Sequence, residues 1–105
     1  MKSKKHLDYI RQLPCCCCLS DRSDRHRHAH HLLRVPERAG FRKVSDKYTI
    51  PLCTRCHTQL HKGGDETGFL AKHHIKYPVK LATTLLGADP DHAEGRRMII
   101  RSKRP

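Results

Sequence analysis

A small α+β domain held together by bound metal is the fold class this sequence predicts, and three observations predict it. The chain has 105 residues, room for one small domain. Only 36% of them are apolar and none is Trp, so a hydrophobic core alone stabilises it poorly. Six Cys and ten His offer a staple of another kind. The segments that carry them read in the order strand, loop, strand, helix, with short helices to follow.

Residues 1–13 form a basic lead-in, in which Leu7, Ile10 and Tyr9 can share one short apolar face. Residues 14–87 form the domain proper. Pro14 gives the cysteine run Cys15-Cys16-Cys17-Cys18 a fixed entry. Arg27 to Leu33 reads as a short strand, Glu37 to Lys47 as a loop around Gly40, and Tyr48 to Leu52 as a second strand. Pro51 lacks an N–H and places that strand at an edge. Thr54 to Lys62 reads as a helix stopped by Gly63-Gly64. Asp65 can cap a further helix that buries Phe69, Leu70 and Ile75, and Pro78 separates it from Val79 to Leu86. Residues 88–105 are polar and then basic, with no acid after Glu94; they read as a mobile tail unless DNA or Met98-Ile99-Ile100 ties them down.

Lys and Arg number 22 against 10 acids, a formal charge of +12. Such an excess favours a polyanionic partner, most often nucleic acid, over a merely soluble basic or ribosomal-type accessory protein. Apolar runs such as Leu81 to Gly87 fall far short of the ~20 residues that cross a bilayer, so no membrane partner is expected. The basic start is followed by Asp8, Arg11 and Pro14 rather than by an apolar stretch. A reducing, cytoplasmic compartment is therefore the expectation.

Cys15 and Cys18 stand in one Cys-x-x-Cys spacing, Cys53 and Cys56 in another. Two such knuckles supply four thiolates, the tetrahedral shell of a structural zinc site. Disulfides fit badly, because neighbours within a run of four pair only with strain. Cys16 and Cys17 are spectators, or alternates for Cys15 and Cys18. The second cluster is His30-His31 on the first strand, with His57 and His61 four apart on one helix face. Consecutive helix residues point about 100° apart, so Cys56 and His57 can serve two different metals from one helix. Consecutive strand residues point to opposite faces, so if His30 faces an ion His31 is free to handle a proton, provided that local distortion brings both into one cleft. The alternative is that His30, His57 and His61 complete a structural zinc site or line the surface. His26 and His28 read as strand-surface or phosphate contacts, and His73 and His74 as surface.

The ordered set Pro14-Cys15-x-x-Cys18, Ala29-His30-His31-Leu32, Asp46, Pro51-Leu52-Cys53-x-x-Cys56-His57-x-x-x-His61, Gly64 and Phe69 resembles the HNH nuclease superfamily. It is closest to the zinc-stapled branch typical of phage and prophage proteins, including the recombination-enhancement nucleases. The likeness spans residues 14–77. It implies a ββα-metal finger that enters a DNA groove, and a bacterial or phage-encoded endonuclease that hydrolyses phosphodiester bonds with one divalent cation. By position, His31 resembles the general base, and His30, His57 and His61 the ligands of the catalytic ion. Asp46 stands where the family has its middle Asn, or an Asp in this branch, and orients the base or contributes to the metal site; a loop Asp is also commonly a turn residue. A neutral His suits the base at physiological pH. An all-His shell leaves Mg2+, Mn2+, Ni2+, Co2+ and Zn2+ open as the working ion. The alternative function is a noncatalytic zinc-containing module that binds DNA or RNA through its basic residues.

Overall fold

The computed structural model describes residues 1–20, 27–35 and 45–104. Among these the elements run α1 (Lys4–Arg11), β1 (Arg27–His31), β2 (Thr49–Cys53), α2 (Thr54–Gly63), α3 (Glu66–Lys72), α4 (Pro78–Ala88) and α5 (His92–Ser102). The α+β expectation holds at this level. His26 and residues 37–44 of the expected loop lie outside the described residues.

The two strands form an antiparallel ribbon that pairs His30 with Ile50 and Ala29 with Pro51. A two-stranded sheet has only edges, so Pro51 costs it no interior ladder bond. Every residue of β2 is buried, because α1 and α4 pack on the ribbon and α2 follows it directly. Its last residue, Cys53, caps α2: the sulfur accepts the Cys56 N–H at 3.5 Å. Gly64 ends α2 at φ 71°, a left-handed conformation in which a Cβ would be strained. The Asp65 carboxylate caps α3 through the Gly68 N–H, as anticipated. Leu70 and Ile75 are fully buried and Phe69 partly so.

The divisions drawn at residues 13 and 87 are not packing boundaries. Residues 1–13 are no mere lead-in: α1, capped by Ser3, buries His6, Tyr9 and Ile10, with Leu13 behind them. His6 Nδ1 meets Asp89 Oδ2 at 2.7 Å, tying α1 to the end of α4. The C-terminal segment takes the exception allowed for it, since Ile99 holds α5 in the core at 0% exposure. Gly95 lets α5 approach α1 closely; a Cβ there would collide with the Tyr9 hydroxyl and the Leu13 side chain. The expected tail is thus a packed helix through Ser102.

Beyond α5, the Lys103 ammonium donates to the carbonyls of Cys16 (2.6 Å), Cys17 (2.8 Å) and His73 (2.8 Å). All three of its hydrogens are used, and they hold the cysteine run against the end of α3. Lys103→Met keeps the aliphatic stem but leaves three carbonyls without this donor. Its melting temperature is expected to fall by roughly 10 °C with metal content unchanged, measured by thermal denaturation and elemental analysis.

Candidate metal centres

The first cluster is built from two turns of chain held side by side. The Cys15 N–H donates to Ser20 O and the Leu19 N–H to Cys15 O, closing the N-terminal knuckle; Cys16 N–H donates to Pro51 O and pins it to β2. The sulfurs of Cys15, Cys18, Cys53 and Cys56 consequently lie within 4.8 Å of one another. Cys18 and Cys53 are 3.7 Å apart, close to the ~3.8 Å expected between two thiolates that share one tetrahedral zinc at ~2.3 Å. This group can hold a metal ion such as zinc. Cys16 and Cys17 stand outside it, both buried. All six cysteines are free, so no disulfide competes for these sulfurs.

The electrostatics of the group favour a cation. Burial and the neighbouring sulfurs push the Cys56 thiol well above its ordinary range. Cys15 is pushed up to about 11 by its hydrogen bond with Cys17 and by burial. Metal must therefore displace protons here, as thiolate sites do when they load.

The second cluster joins β1 to α2. His30, His57 and His61 each present a ring nitrogen within the same 4.8 Å limit. His57 Nε2 and His61 Nε2 stand 2.9 Å apart, converging from one face of α2. The His30 ring meets both edge-on, with centroids at 5.1 and 5.6 Å. Burial, then the charges of His30, His61 and His28, lower the His57 pKa to about 4. The crowded imidazole is therefore kept neutral, the form in which a histidine binds a metal ion.

Two neighbours of this cluster escaped the sequence reading. Glu66, only 7% exposed at the start of α3, holds His30 Nε2 at 2.6 Å. The same carboxylate accepts the Leu33 N–H through both oxygens, at 3.2 and 3.0 Å. Burial alone would raise the Glu66 pKa, but hydrogen bonds from His30 and Leu33 outweigh it and leave the carboxyl lowered. With Nε2 engaged, Nδ1 is the His30 nitrogen left for an ion. Asp65-Glu66 in sequence reads simply as a helix start, so nothing local marks Glu66 as a partner of β1. The other neighbour is His28, read as a surface or phosphate residue. It stacks on His57 at 4.7 Å and bonds Thr54 Oγ1 at 3.2 Å. Its signal was available: His28 and His30 are two apart on a strand and share a face.

His31 belongs to neither cluster and turns to Asp46. Its Nε2 lies 2.8 Å from Asp46 Oδ1, and the side chain is 40% exposed. Asp46 Oδ2 in turn accepts the Ser3 N–H at 2.8 Å. Partial burial would raise the Asp46 pKa; hydrogen bonds from His31 and Ser3 override it and lower the value. His73 is half-buried, its ring 4.7 Å from Phe69, and His74 is exposed.

The fold and these centres define a class: a small α+β domain with one four-cysteine and one three-histidine group, both able to hold metal. A family model described as a protein of unknown function (DUF968) matches residues 1–86, and the chain belongs to that family. No curated protein and no solved structure matches the chain. Among the described residues no helix is long and apolar enough to cross a membrane.

Proposed function

We propose that the chain is a metal-dependent endonuclease of the HNH type, with β1, β2 and α2 as its ββα-metal finger. One observation carries the reading: three imidazoles converge on a single point, and the strand residue after one of them, His31, is paired with a carboxylate. A binding module needs the first feature at most. Zinc in the four-cysteine group would staple the finger. His30, His57 and His61 would hold a divalent cation, which when bound supplies positive charge for the scissile phosphate and the leaving oxygen.

The chain's own residues do the rest. His31, with Nε2 engaged by Asp46, keeps Nδ1 to take a proton from the attacking water. Asp46 fixes the ring and stabilises the imidazolium that forms. Glu66 holds the His30 ring in one tautomer, as carboxylates behind metal-binding histidines do. The excess of basic residues draws in the DNA backbone without reading its sequence.

The test is relaxation of supercoiled plasmid with Mg2+, Mn2+, Ni2+, Co2+ or Zn2+ supplied singly. Cleavage that requires an added ion, falls in His57→Ala and is partly restored by excess ion is the expected result. A parent protein that cuts with none of these ions is instead a zinc-containing nucleic-acid-binding module. Glu66→Gln is expected to weaken ion binding at the histidine site by roughly 10- to 100-fold. Calorimetric titration reads that loss, and the metal held by the cysteines should stay constant.

A further inference from the structure

A cavity of about 420 Å³ opens between α4 and α5, apart from every residue of the two metal centres. Its apolar lining is Ile75 and Leu81, both buried, with Met98 partly so. Tyr77 stands at the same opening with 71% of its surface exposed, the most exposed large apolar residue among those described. Lys80, Arg101 and Arg104 complete the charged side, and no carboxylate is among the described residues that line the cavity. The contrast with other arginines is informative: Arg11 is paired with Asp8 and Arg97 with Glu94.

A volume in this range suits a small ligand or one element of a larger one. Three cations with no acid among the described lining residues select an anion, yet an apolar floor beside an exposed aromatic ring is wasted on a bare phosphate. An unpaired nucleotide has both parts, a flat base to lie against Tyr77 and Met98 and a backbone phosphate on either side for the cations. Duplex DNA hides its base faces in the stack and offers this cavity only phosphates. Single-strand sites elsewhere combine a basic track with stacking aromatics in the same way.

We infer that the α4–α5 cavity binds an unpaired nucleotide of a DNA strand, so that the protein engages single-stranded or branched DNA in preference to plain duplex. The inference rests on the reading of the chain as a DNA-acting protein, but not on its cutting DNA.

The experiment measures binding of a fluorescein-labelled oligo-dT and of a duplex of equal length, by anisotropy at fixed salt. Parent, Tyr77→Ala, Tyr77→Phe and Arg101→Gln are compared, with thermal melting as the folding control. Tyr77→Ala is expected to weaken oligo-dT binding roughly tenfold and duplex binding less than twofold, with Tyr77→Phe near the parent. Arg101→Gln should weaken oligo-dT binding and flatten its salt dependence. Equal losses on both DNAs in Tyr77→Ala, or no loss on oligo-dT, would overturn the inference. His31→Ala separates the two readings: it should slow cutting by about 10²- to 10⁴-fold and leave oligo-dT binding intact. A parent that never cuts yet binds oligo-dT through Tyr77 refutes the nuclease and upholds the cavity.

Discussion

Cys53→Ser is expected to release about one zinc ion per chain and to abolish the cooperative thermal transition. The choice of residue makes the result interpretable. Cys53 both joins the four-cysteine group and caps α2 through the Cys56 N–H. Serine is itself a strong N-cap, so the cap survives and only the thiolate is lost. A structural zinc is worth on the order of 10–16 kcal/mol of apparent binding free energy, as much as the whole stability of an ordinary domain. In this chain the dependence should be severe, because the sulfurs sit inside the core cluster with Leu13, Leu52 and Leu60. Elemental analysis and calorimetric melting give the answer together. A variant that keeps its full zinc and melts with the parent would eliminate the four-thiolate site.

His31→Ala is expected to lower single-turnover DNA cleavage by about 10²- to 10⁴-fold, the usual contribution of a positioned base. DNA affinity and metal content should stay near those of the parent, because His31 stands outside both metal groups and is partly exposed. His57→Ala should behave differently: it removes a proposed ligand, so metal content is expected to fall with activity and excess ion to restore part of the rate. Asp46 is expected to act through His31, since its contacts run to His31 and to the Ser3 N–H rather than to either cluster. Undiminished cleavage by His31→Ala would dismiss it as the base. Loss of the second ion along with the rate would make it a ligand instead.

Much of this architecture is written locally in the chain. The two Cys-x-x-Cys spacings and the His57–His61 interval are each a single turn of backbone, so their members are neighbours whatever the rest of the protein does. Asp65, Gly64 and Pro78 punctuate helices through their own conformational preferences, and the observed boundaries follow them. The basic excess likewise needs no fold to be read. By itself, then, the sequence determined the α+β class, the strand–strand–helix order and the candidate groups Cys15, Cys18, Cys53, Cys56 and His30, His57, His61.

Tertiary structure decided the rest, and the reason is that burial and hydrogen-bond pairing are long-range. Residues 1–13 and 88–105 read as appendages because their apolar positions are few and spaced among charges. The helices within them, α1 and α5, are core elements because Tyr9, Leu13, Gly95 and Ile99 interlock across some eighty residues of chain. Glu66 and Lys103 look like ordinary surface charges in sequence. One becomes the buried partner of His30, thirty-six residues away, and the other the cap on the cysteine run, eighty-six and eighty-seven residues away. A carboxylate or an ammonium acquires such a role only when the fold withdraws it from water and leaves one partner in reach. No local pattern records which partner that is.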